Sequence, residues 1–316
     1  MLDFYFQVFL FASNMERLFS ALPTPFLGAN CDEIDYKSLE KLIYFQVKND
    51  VEGLVFSGST GEGHTLTKNE WHDLISFGVK KVGEYNKKYS KSAKVVAGVG
   101  FNCTLTAVKY AKIAEELAVD YILATVPYYN KPQQEGIYTH FAKIAGAVKT
   151  PIILYNVPGR TVTDMQNDTI VRLAKDFKNV VALKDATGKL ERVAELKKLL
   201  DDAGCSDFVM LSGEDTTQIG FNAMGGQGVI SVVANLAPRL CADIQNACKS
   251  GDYGAAVALQ NELVELSKAM FCEPNPVPVK YALMKMEIFD NDAPREPLVK
   301  LGEKGQKIVD EVLKKL

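Results

Sequence analysis

The sequence predicts an α/β protein: a (β/α)8 barrel at residues 15–250, followed by a C-terminal helical region at residues 251–316. Three observations carry this expectation. Short apolar runs recur near residues 18–23, 53–57, 94–99, 120–126, 151–155, 179–183, 207–212 and 227–233, as expected of strands buried on both faces. Amphipathic stretches with polar breaks separate them, and such alternation of strand and helix suggests a parallel barrel. After about Gly251 the pattern becomes all-helical. A doubly wound open sheet is the alternative arrangement, but no Gly-x-Gly-x-x-Gly follows the first run.

Residues 1–14, MLDFYFQVFLFASN, are set apart as an N-terminal extension, either an upstream start or a small appended strand. Their apolar part is too short to span a bilayer and lacks a basic flank. The first strand ends in Ala21-Leu22-Pro23-Thr24-Pro25-Phe26, and a helical stretch opens at Cys31-Asp32-Glu33 and runs through Leu39, Leu42, Ile43 and Phe45. The second strand ends in Ser57-Gly58-Ser59-Thr60-Gly61-Glu62. The third ends in Gly98-Val99-Gly100-Phe101-Asn102, and Leu105, Val108, Ile113, Ala114 and Leu117 then mark one helical face.

The fourth strand ends in Val126-Pro127-Tyr128-Tyr129-Asn130, and the fifth in Tyr155-Asn156-Val157-Pro158-Gly159-Arg160. The sixth, Val180-Val181-Ala182-Leu183, runs into Lys184, and Asp185-Ala186-Thr187-Gly188 turns the chain into a helix near Lys189. The seventh ends in Ser212-Gly213-Glu214-Asp215 and the eighth in Gly228-Val229-Ile230-Ser231. In the C-terminal region Ala256, Leu259, Leu263, Leu266 and Met270 form a helical stripe. Pro274, Pro276 and Pro278 interrupt it, and helical patterns resume around 279–289 and 297–316.

Composition narrows the function. The chain is 47% hydrophobic and 24% charged with a net charge of −3, and no basic patch is interleaved with aromatics. Nucleic acid and anionic membrane are therefore poor partners. The six cysteines are dispersed without a Cys-x-x-Cys pair, which suggests reduced cytoplasmic thiols and neither a disulfide frame nor a zinc site. Three histidines are few for a metal-dependent hydrolase or aldolase, and no Gly-x-Ser-x-Gly elbow is present. No metal or organic cofactor is expected.

Active sites of parallel barrels lie at the carboxyl ends of the strands. A lysine there is either a snorkelling, salt-bridged residue or an amine nucleophile. At the reference pKa about one lysine in 2,500 is neutral at pH 7, and a dry wall would raise that fraction. Ser59 and Thr60, between glycines, offer hydroxyls and backbone N–H groups suited to a carboxylate, or else form an ordinary capped turn. Tyr155 could carry protons or be a satisfied mouth tyrosine. Arg160 could grip a carboxylate or sit in a surface salt bridge. Together with Lys184 these groups suit a 2-oxo acid held as a Schiff base.

The segments ALPTPF (21–26), GSTGE (58–62), VPYYNKP (126–132), YNVPGRT (155–161), LKDATG (183–188), SGED (212–215), GVISV (228–232) and EPNPVPVK (273–280) occur in order at these strand ends and in the C-terminal region. On them the chain resembles the dihydrodipicolinate synthase / N-acetylneuraminate lyase family of Schiff-base aldolases. The resemblance implies a TIM barrel and a class I aldolase-type lyase in which Lys184 forms the imine with pyruvate and Tyr155 shuttles protons. Thr60 would link Tyr155 to Tyr129, which would reach across a dimer interface. Ser59 and Thr60 would hold the pyruvate carboxylate, and Ile230 and Gly213 would line the substrate pocket.

Arg160, two residues after the Tyr-Asn-x-Pro segment, suits the synthase branch, whose second substrate is aspartate 4-semialdehyde and whose product is 4-hydroxy-tetrahydrodipicolinate, on the diaminopimelate route to lysine. An N-acetylneuraminate lyase or 2-keto-3-deoxy sugar acid aldolase is the alternative, and a catalytically silent oligomeric binding protein the alternative of another class. The resemblance also implies a homotetramer, a dimer of tight dimers, and the dispersed cysteines lead us to expect a cytoplasmic location. Feedback-inhibited members bind lysine through histidine and glutamate side chains. The matching positions here are His64, Lys68, Trp71 and Thr106, with Asn102 and Tyr128 retained, so weak or absent lysine inhibition is expected.

Overall fold

A computed structural model describes residues 15–28 and 31–316; the extension 1–14 lies outside the described residues. Eight parallel strands close into a barrel: β1 (Leu18–Ala21), β4 (Gly53–Phe56), β5 (Lys94–Val99), β6 (Tyr121–Thr125), β7 (Ile152–Asn156), β8 (Val180–Asp185), β9 (Val209–Ser212) and β10 (Gly228–Ser231). β1 pairs with both β4 and β10, so the sheet has no free edge. The remaining strands, β2 (Phe26–Leu27) and β3 (Glu33–Ile34), form a small antiparallel hairpin beside the mouth.

All eight apolar runs became barrel strands, because each buries both faces. Alternate residues point inward: Phe19, Ala21, Val55, Val96, Leu123, Ile153, Ala182, Val209, Leu211 and Ile230 fill the interior. A second apolar layer lies between the strands and the surrounding helices. Three helices, Tyr253–Ala269, Val277–Lys285 and Glu303–Leu313, follow the last barrel helix, Pro238–Ser250.

Two local expectations needed correction. The first helix does not open at Cys31; it runs Tyr36–Lys48, because the Asp35 side chain accepts from the N–H groups of Lys37 and Ser38 and caps it there. In the helix Thr104–Glu116 the buried face is Ala107, Ala111 and Ala114, while Leu105 is 72% exposed. Alanines let that helix sit close to the barrel, so the bulkier Val108, Ile113 and Leu117 fall at the margin, half-buried.

Candidate active site

β7 and β8 run side by side with Tyr155 opposite Lys184 and Asn156 opposite Asp185. Strand alternation does the positioning. Lys184 stands two residues after the inward Ala182, and Tyr155 two after the inward Ile153, so both point into the barrel mouth. Lys184 is 6% exposed. Its Nζ lies 4.5 Å from the centroid of the Tyr155 ring.

The neighbouring residues Asn156 and Asp185 point the other way and anchor the strand ends. Asn156 Nδ2 donates to Asp164 Oδ1 at 2.7 Å, and its Oδ1 accepts from the N–H of Met165 at 3.0 Å. Arg192 donates to Asp164 at 2.7 Å and lies 3.5 Å from Asp185. Burial pushes the Asp185 carboxyl up, with Arg192 opposing. This network joins the two strands that carry the amine and the phenol.

The loop after β4 presents Ser59 and Thr60. Thr24 Oγ1 donates to the carbonyl of Gly61 at 2.7 Å, and a Cβ on Gly61 would come within 2.9 Å of the Ser57 nitrogen, so only glycine fits there. Thr60 is buried, and its Oγ1 accepts from Asn275 Nδ2 at 2.9 Å. The backbone carbonyl of Asn275 accepts from Arg160 Nη2 at 3.2 Å. Asn275 therefore bridges the loop hydroxyl and the guanidinium, and its own Oδ1 is buried without a partner. Arg160 itself is exposed, on the short helix Pro158–Thr161.

Gly213 follows β9, and its N–H donates to the carbonyl of Asp185 at 2.7 Å, which draws the Ser212–Asp215 turn against the end of β8. Ile230 is buried opposite Phe19 in β10. Asp215 accepts from Ser231 Oγ and from the N–H groups of Val232 and Val233 at 3.0 and 3.2 Å, tying the ends of β9 and β10 together. Burial and the Asp215 carboxylate raise the pKa of Glu214, while Lys184 and Arg160 oppose this. Tyr129 stands apart: it is 88% exposed, with φ 73, on the loop after β6.

A cavity of about 470 Å³, lined by Ser59, His64, Tyr128, Val157 and Arg160 among others, opens over the ends of β4 to β7. β8, which carries Lys184, is the next strand around the barrel. A larger cleft of about 830 Å³ lies among helices near Phe45, Leu236 and Leu316 and contains none of these groups. Among the described residues no cluster of three or more His, Cys, Asp or Glu could hold a metal ion, and no helix is long and apolar enough to cross a membrane.

A family model, the Dihydrodipicolinate synthetase family, matches residues 14–316. The chain belongs to the dihydrodipicolinate synthetase family. Members similar to it include the 4-hydroxy-tetrahydrodipicolinate synthase of Bartonella bacilliformis, 43% identical over 93% of this chain and 95% of the relative. The synthase of Chelativorans sp. is 44% identical over 93% and 96%. Among solved structures, dihydrodipicolinate synthase from Aquifex aeolicus aligns with a TM-score of 0.89 at 37% identity, covering 95% of this chain and 98% of that one. The family's lysine-bound member from Cyanidioschyzon merolae aligns at 0.88 with 31% identity, covering 95% and 97%.

Sequence reasoning missed Asn275 and the Asn156–Asp164–Arg192–Asp185 network. Asn275 lies within the EPNPVPVK segment, but nothing local shows that it meets Thr60, 215 positions away in the chain. Asn156 and Asp185 each directly follow a mouth residue, so strand alternation alone could have marked them as outward anchors.

Proposed function

We propose that the chain catalyses the condensation of pyruvate with aspartate 4-semialdehyde to 4-hydroxy-tetrahydrodipicolinate, the product in the names of its relatives, as a step toward diaminopimelate and lysine. The carrying observation is the pairing of an inward lysine with an inward tyrosine at adjacent strand ends. Lys184 Nζ attacks C2 of pyruvate and water leaves, giving the imine. Tyr155 takes the proton from C3 as the imine becomes an enamine, and returns one to the alkoxide formed when C3 attacks the aldehyde. The product's amine then displaces Lys184 at C2 and closes the ring. The protonated imine is the electron sink, so no cofactor is required.

Ser59 and Thr60 hold the pyruvate carboxylate, Thr60 passes protons between Tyr155 and Tyr129, and Ile230 and Gly213 wall the pocket. Arg160 grips the carboxylate of the aldehyde. Its tie to Asn275, and the names of relatives above 40% identity, favour this aldehyde over a sugar acid. The exposed Tyr129 and Leu105 support a tight dimer in which Tyr129 serves the neighbouring site, and we read the whole as a cytoplasmic homotetramer.

The test is steady-state condensation coupled to a reductase, with N-acetylneuraminate cleavage as the control and borohydride trapping of pyruvate on Lys184. Condensation and trapping in wild type support the reading. Pyruvate release from the sugar acid alone would transfer the chain to the lyase branch, and the absence of any trapping would remove the Schiff-base mechanism. Light scattering on the eluting protein would show whether it is a tetramer.

A further inference from the structure

The loop after β4 ends in a carboxylate with no access to solvent. Glu62 is 0% exposed and has a left-handed backbone, φ 51, a conformation that is unfavourable for a residue with a Cβ. Its carboxylate is held from the C-terminal region. Oε1 accepts from Lys280 Nζ at 2.5 Å, and Oε2 accepts from the N–H of Arg295 at 2.8 Å. Lys280, on the helix Val277–Lys285, is also 0% exposed. Its ammonium donates to the carbonyl of Ala293 at 3.0 Å and lies 4.3 Å from the centroid of Phe26. The Arg295 guanidinium lies 4.3 Å from the same ring and pairs with Glu70.

We propose that Glu62 and Lys280 are a positioning pair through which the C-terminal helical region holds the Ser59–Thr60 loop in the shape that receives the substrate carboxylate. This rests on the Schiff-base reading above, which gives that loop its ligand. A buried ion pair is a poor source of stability, because an apolar pair of the same shape serves as well. Its particular contribution is directional. It fixes the Glu62 side chain, and so the backbone two residues beyond Thr60, at one distance from a helix outside the barrel.

Three other contacts clamp the same loop. Thr24 holds Gly61, Asn275 holds Thr60, and the N–H of Gly63 donates to the carbonyl of Gly58 at 3.2 Å. A loop with so little slack transmits a displacement of Glu62 to Ser59 and Thr60. Burial lowers the pKa of Lys280, and the Glu62 charge opposes that shift. Removing one leaves the other buried and alone.

The experiment compares Glu62→Gln, Lys280→Met, the double variant and wild type by pyruvate KM, kcat, borohydride trapping and melting temperature. Gln245→Leu is the control. It breaks a buried amide chain with Gln218, which in turn bonds Gln260, and this chain does not touch the loop. Each single variant is expected to raise pyruvate KM about tenfold or more, with aldehyde KM within about twofold. The double variant should regain melting temperature relative to Lys280→Met but not pyruvate KM, and Gln245→Leu should lower melting temperature alone. Glu62→Gln is nearly isosteric and keeps the test decisive if Lys280→Met does not fold. Single variants that melt earlier with pyruvate KM within about twofold of wild type, or a double variant that regains both properties, would overturn the proposal. Wild type that traps no pyruvate would instead overturn the Schiff-base reading, and the positioning role with it.

Discussion

Tyr155 and Lys184 are register partners across β7 and β8, and the lysine nitrogen lies 4.5 Å from the centre of the tyrosine ring. Both side chains come from rigid strands, and the Asn156–Asp164–Arg192–Asp185 network outside the barrel locks those strands together. The proposed nucleophile and the proposed proton carrier are thereby held at one separation before any substrate arrives.

Lys184→Ala is expected to abolish condensation and borohydride trapping together. Tyr155→Phe should still form the imine, while kcat falls by about 100-fold or more, because the proton steps on either side of carbon–carbon bond formation lose their carrier. Mass spectrometry of the trapped protein beside steady-state rates distinguishes the two. A tyrosine variant with wild-type kcat would exclude the relay role.

Arg160→Ala removes the guanidinium proposed to grip the carboxylate of the aldehyde. It should leave trapping of pyruvate intact and reduce kcat/KM for the aldehyde by about 10- to 100-fold, as loss of a charge-assisted pair does. Arg160→Lys should recover only part of this, since a point charge cannot reproduce the fork.

Asn275→Ala deletes the hydrogen bond to Thr60 Oγ1 at 2.9 Å. One buried hydrogen bond contributes about 1 kcal/mol, so kcat/KM should fall by about fivefold. Asn275→Asp should restore little, because a carboxylate only accepts and would take up the Thr60 hydroxyl proton that the proposed relay uses. Equal rates in wild type and Asn275→Ala would show that Thr60 needs no anchor.

His140 predicts a pH dependence of stability. It is buried between helices, shares a hydrogen bond with Thr104 Oγ1 at 2.9 Å and leaves Nε2 unpartnered. Burial pulls its pKa down from 6.5 to about 4. The unfolded chain thus binds a proton below pH 6.5 that the folded chain refuses until about pH 4. Stability is full above pH 6.5 and is lost as pH falls through that window, by up to about 3 kcal/mol from this group. Urea denaturation of wild type and His140→Gln at pH 7.5 and 5 checks it: the variant should lose less stability over the same interval.

Lysine should inhibit weakly or not at all. Trp71 is fully buried, and its indole N–H is committed to the carbonyl of Gly98 at 3.0 Å. Burial holds His64 below the usual histidine range, Lys68 is a cation, and Thr106 has no carboxylate to receive lysine's ammonium. An inhibition titration giving half-inhibition below millimolar lysine would contradict this.

Strand periodicity and residue chemistry settled a large part of this protein in advance. Eight apolar runs can be buried on both faces only in a covered parallel sheet, and a lysine at the end of one of them must lie at the mouth. These are local properties, readable because side-chain direction alternates with a fixed period. The first helix starts at Tyr36 and not at Cys31 because the Asp35 cap competes with the apolar pattern. The packed face of Thr104–Glu116 is alanine because close approach excludes leucine, so Ala114 alone of the expected face is fully buried.

What the sequence by itself determined is the barrel and which side chains stand at the ends of its strands. Tertiary structure alone decided what holds them. Asn275 meets Thr60, and Lys280 meets Glu62 218 positions away, because Asn275 and the helix Val277–Lys285 pack against the loop after β4. Such contacts leave no period or spacing in the chain; they follow from how a helix and a loop, each locally unremarkable, exclude water together. Burial then turns an ordinary glutamate and an ordinary lysine into a pair that neither could form in solvent.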